Sequence, residues 1–109
     1  MTDLKFGYDV LLTDDGTPTN IIASQETPGS PFRAVLWSVP DRRWIYAPAI
    51  AADILYDDDD ARRTEAIDRT TAERIAAENL RSELPSEETL LVLFAEGERM
   101  GWRFGPPQR

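Results

Sequence analysis

Four contiguous aspartates, Asp57, Asp58, Asp59 and Asp60, are the densest concentration of potential chemistry in the chain. Carboxylates this close together can gather a hard cation or present a negative patch to a basic protein. A calcium loop of the helix–loop–helix type alternates its ligands, turns on a glycine and closes with a distal bidentate glutamate. Here the ligands do not alternate, no glycine follows, and Glu65 stands at the wrong distance. The block therefore reads as a solvated acidic loop that stops a helix, with no metal assigned. Carboxylates at a helix C-terminus oppose the partial negative charge there, a hint that they are retained for a partner. The chain has no histidine and no cysteine. That excludes a disulfide framework, a cysteine nucleophile, the usual zinc sites and a Ser-His-Asp triad. Twenty acids in so short a chain always offer carboxylate pairs, and such pairs mark no glycoside-cleaving site without a cleft between them.

The aromatic set Trp37, Trp44, Tyr46, Tyr56 and Trp102 could line a ligand pocket. Core packing is the stronger reading, because half of these lie on strand-like alternating runs. Along residues 32–39, Phe32, Ala34 and Leu36 share one face while Arg33, Val35, Trp37 and Val39 share the other. Burying the first face leaves Trp37 outside as an interface anchor; burying the second takes it into the core. Both registers stay open. The arginines Arg42, Arg43, Arg62, Arg63, Arg69, Arg74 and Arg81 could contact phosphate. Interleaved Glu65, Asp68, Glu73, Glu78 and Glu83 favour a salt-bridged helix face instead, and no glycine-rich phosphate loop is present.

The elements that must position these groups follow from pattern. Leu4, Phe6, Tyr8, Val10 and Leu12 alternate with Lys5, Gly7 and Asp9, the period of a strand packed along one side. Asp14-Asp15-Gly16-Thr17-Pro18 is a turn, Thr19–Ser24 a returning strand and Gln25–Pro31 an exposed loop. Residues 32–39 and 44–46 form a hairpin around Pro40-Asp41-Arg42-Arg43. Pro48 suits the first turn of a helix ending near Leu55 or Tyr56. Residues 61–67 carry no clear pattern. Asp68 or Thr70 caps a helix with Ala72, Ile75, Ala76 and Leu80 on one side, closed by Leu84-Pro85. Ser86 caps another, with Glu87 and Glu88 in its first turn and Gly101 at its end. Leu90–Ala95 fits that helix better than a strand. The expected fold is α+β: a small antiparallel sheet of three or four strands in the N-terminal half, packed against two or three helices in the C-terminal half.

At 109 residues, 41% of them hydrophobic, the chain is long enough for one core. We read residues 1–104 as a single acidic domain and 105–109 as a flexible tail. Net charge is −8, which argues against direct binding to nucleic acid or anionic membrane and favours a basic partner. The acidity is uneven: residues 50–60 hold five aspartates and no basic residue, whereas residues 61–85 balance five acids against five arginines. No segment has the continuous apolar length of a membrane span, and MTDLKF lacks a signal peptide's basic and apolar regions, so a cytoplasmic protein is expected.

These readings converge on a non-catalytic, protein-binding module, an inhibitor of the immunity or antitoxin type. Its contact surface is expected to comprise Asp57, Asp58, Asp59, Asp60, Tyr56, Trp44 and Trp37, with no cofactor. The alternatives are a DNA mimic that inhibits a DNA-binding protein, an accessory subunit, and a metal-dependent enzyme using its acidic residues. DNA mimicry needs Asp9, Asp14 and Asp15 to lie near the Asp57–Asp60 block.

Overall fold

A computed structural model describes residues 6–25, 32–39, 41–56 and 63–106. The described chain runs β1 (Gly7–Leu12), β2 (Pro18–Gln25), β3 (Arg33–Ser38), β4 (Arg43–Tyr46), α1 (Pro48–Tyr56), β5 (Arg63–Ile67), α2 (Arg69–Ile75) and α3 (Glu87–Met100). A π-helical turn, Ala76–Leu80, continues α2. The five strands form one antiparallel sheet in the order β4-β3-β2-β1-β5. The α+β class holds, with a meander of four strands as expected. The fifth strand comes from the stretch without a clear pattern, and it returns past α1 to pair with β1, Tyr8 opposite Ile67 and Leu12 opposite Arg63.

Local chemistry explains the turns and helix ends. Between β1 and β2, Gly16 N–H donates to the Thr13 carbonyl at 2.9 Å and Gly16 adopts φ 87°, a left-handed backbone that glycine accepts without steric cost. The Asp15 carboxylate accepts from the Thr13 hydroxyl and from the Thr17 amide and hydroxyl. Those hydrogen bonds, Thr13's first, hold its pKa below the ordinary carboxylate value. Of the two candidate caps for α2, Asp68 serves: it accepts from Thr71 N–H at 2.8 Å, which lowers its own pKa. Ser86 caps α3 by accepting from Thr89 N–H at 3.1 Å, and Gly101 closes it at φ 73°. The helix expected to reach Leu84-Pro85 stops earlier. Arg81 turns left-handed at φ 53°, and Ser82 N–H donates back to the Ala76 carbonyl at 3.0 Å.

Neither of the two one-sided registers of β3 applies, because helices cover both faces. Tyr8, Val10, Ile21, Ala23, Val35 and Tyr46 pack beneath α2, its π turn and α3, where Leu90 and Phe94 are fully buried. Ile22, Ala34, Leu36, Ile45 and Ala47 pack beneath α1 through Ala51 and Ile54. Central strands buried on both sides lose the inside–outside alternation of a half-exposed strand. Gly97 lets α3 lie directly on the sheet: a Cβ there would run into the Tyr46 ring, whose centroid is 5.8 Å from that of Phe94. At one end of the sheet, the chain after α3 lies against β4. A Cβ on Gly105 would come within 2.8 Å of Ile45 Cδ1, and Trp102 and Pro106 line a groove with Arg43 and Trp44. At the other end, no described strand pairs with the outer side of β5.

Candidate functional surface

Trp37 and Trp44 stand directly opposite each other on β3 and β4, their rings edge to face with centroids 5.3 Å apart. Both are partly exposed. They occupy the α2/α3 face, since Val35, two residues before Trp37, belongs to that core. The backbone of Trp37 is held by an amide that imitates a peptide group. Asn20 Nδ2 donates to the Trp37 carbonyl at 2.8 Å, and its Oδ1 accepts from Trp37 N–H at 3.0 Å. Trp44 Nε1 donates to Ser82 Oγ at 3.3 Å and to the Glu83 carbonyl at 3.1 Å. The indole thus ties the loop after the π turn to the sheet.

Tyr56 lies elsewhere. It ends α1 at 60% exposure, with its ring edge-on to Phe32 at 6.0 Å, and Phe32 packs on the α1 side of the sheet. The structure therefore brings Trp37 and Trp44 together and sets Tyr56 across the sheet from them. Asp57, Asp58, Asp59 and Asp60 lie outside the described residues. At the start of β5, Arg63 Nη1 donates to the Asp14 carbonyl at 3.3 Å. That contact joins the turn bearing Asp14 and Asp15 to a residue only three positions after Asp60 in sequence.

Sequence reasoning missed a groove of ≈ 590 Å³ outside α2 and its π turn, lined by Arg69, Glu73, Arg81, Ser82, Glu83 and Ser86 among others. Arg69 is the best-anchored charge there. It donates to Tyr8 Oη at 2.6 Å and the Pro85 carbonyl at 2.8 Å, and pairs with Glu73 at 3.5 Å. Its guanidinium carbon is 5.6 Å from the Tyr8 ring centroid, but the hydroxyl contact sets that position, so the hydrogen bond is the stronger link. Burial raises the Tyr8 pKa, and the Arg69 hydrogen bond works in the opposite direction. With two arginines against two glutamates the groove is electrically balanced. The Arg69–Glu73 spacing is legible as a helical ion pair, whereas the π turn that shapes the groove has no local signature.

A second ion pair, Arg33 with Glu98 at 3.3 Å, joins β3 to α3. Burial, then Glu98, raises the pKa of nearby Tyr46. Asp9, on the α1 face because it alternates with Tyr8 and Val10, has its pKa raised by burial. Among the described residues no three acidic side chains come together to hold a metal ion, and no helix is long and apolar enough to cross a membrane. No protein-family model matches the chain, nor does any curated protein or solved structure.

Proposed function

We propose that this protein is a cytoplasmic, non-catalytic module that blocks a basic protein, in the manner of an immunity protein or antitoxin. The observation that carries the reading is the Arg63–Asp14 contact at 3.3 Å. It holds the acidic β1–β2 turn against the start of β5, and in sequence the four aspartates come just before that strand. A large negative field speeds encounter with a basic partner and rejects acidic ones. Tyr56, exposed and immediately before Asp57, supplies an aromatic anchor of the kind that contributes much of the affinity at such contacts. Trp37 and Trp44, across the sheet, form a second, separate aromatic pair.

Replacing Asp57–Asp60 by asparagine tests the proposal. A partner identified by capture on the wild-type chain should no longer bind the variant, while the thermal melt stays nearly unchanged. Capture that survives the replacement removes the acidic block from the mechanism. DNA mimicry draws on the same acidic turn, with Asp14 and Asp15 held against the start of β5. Duplex DNA competing for the same site on the partner would select that second reading.

A further inference from the structure

Among the described residues the two ends of the sheet are finished differently. The β4 edge has the segment after α3 against it, with Gly105 on Ile45 and with Trp102 and Pro106 beside Trp44. The β5 edge has no described strand beyond it, and Arg63, Glu65 and Ala66 are exposed. An unpaired edge presents a row of backbone donors and acceptors ready to accept another strand. We propose that the occupant is a second copy of this chain, joined through β5 in a twofold, antiparallel pair.

Charge and register select that arrangement. Glu65 lies opposite Val10, and Arg63 opposite Leu12, on β1. Both therefore project from the face of the sheet that carries α2 and α3. In a twofold antiparallel pair, residues directly opposite one another share a face, so the axis must pass through a residue pair. Centring it on Thr64 sets Arg63 of each copy against Glu65 of the other, giving two opposite-charge cross-strand pairs. Centring it on Glu65, a slip of two residues, sets Glu65 against Glu65 and Arg63 against Ile67. The alternation Arg63-Thr64-Glu65 thus favours one register and penalises its neighbour. Arg63 already gives one N–H to the Asp14 carbonyl, and a guanidinium has further donors for the partner's Glu65. The product is a continuous ten-stranded sheet with the α2/α3 layers of both copies on the same side. This inference does not rest on the acidic block or on the identity of any basic partner.

Sedimentation equilibrium of the full chain from micromolar to millimolar concentration tests it, with thermal melts confirming that each variant folds. The wild type should form a dimer. R63E and E65R should each weaken self-association by roughly tenfold or more, since each puts like charges opposite one another. An equimolar mixture of R63E and E65R should recover the dimer, because the two variant edges complement each other. A wild type that stays monomeric throughout overturns the proposal and identifies the charges on β5 as guards against pairing. Dimers insensitive to both substitutions, or a mixture that does not recover, overturn it as well.

Discussion

The two faces of the sheet are closed by different means. Over one, α2, its π turn and α3 bury a continuous core from Tyr8 to Phe94, with aromatic rings in contact and a glycine admitting the helix. Over the other, the nine-residue α1 covers a smaller aliphatic set, and the same face carries Asp9 with its pKa raised by burial. The difference suggests that stability is concentrated under α3, while the α1 side is the thinner layer. It is also the side on which Tyr56 stands exposed.

Truncation on each face is the sharpest way to break that comparison. Phe94→Ala should cost about 4 kcal/mol, because a fully buried ring leaves a cavity between two aromatic neighbours. Ile54→Ala on the α1 face should cost about 2 kcal/mol, the low end for such a change, since Ile54 is buried in the smaller core and keeps 7% exposure where Phe94 has none. Chemical denaturation of both variants measures the contrast, and equal losses would mean that the two layers contribute alike. Ser86→Ala should cost about 1 kcal/mol by removing the cap that receives Thr89 N–H, with the loss appearing first as faster amide exchange in the opening turn of α3.

Asp9→Asn should have the smallest effect and the opposite sign. Burial holds the folded pKa of Asp9 above its unfolded value. The native state therefore binds the proton more tightly, and Asp9's contribution is lost as pH rises through that folded pKa. The variant should accordingly be the more stable near neutral pH. Its advantage should disappear below the ordinary carboxylate range, where Asp9 is protonated folded and unfolded alike. Thermal melts of both proteins across pH check this, and an advantage that persists in acid would assign the effect to something other than ionisation.

Much of this architecture was legible residue by residue. Alternation in β1, the Gly16 turn, the caps at Asp68 and Ser86 and the glycine stop at Gly101 all depend on neighbours within a few positions. The β5 strand escaped because Arg63-Thr64-Glu65-Ala66-Ile67 buries little of its own surface; pairing with β1 across more than fifty residues makes it a strand. Arg81 escaped as a helix end because arginine has no intrinsic preference for a left-handed backbone. At the candidate surface, the residue types were readable but not their grouping: Trp37 meets Trp44 through hairpin register, and Tyr56 is carried to the far side by α1.

By itself, the sequence determined a histidine- and cysteine-free acidic chain, its local strand and helix signals, and the chemistry closed to it. Tertiary structure decided which faces are covered, which described strands end the sheet, and which side chains become neighbours. Local preference is set by backbone sterics and nearby hydrogen bonds, whereas those choices depend on contacts between segments distant along the chain.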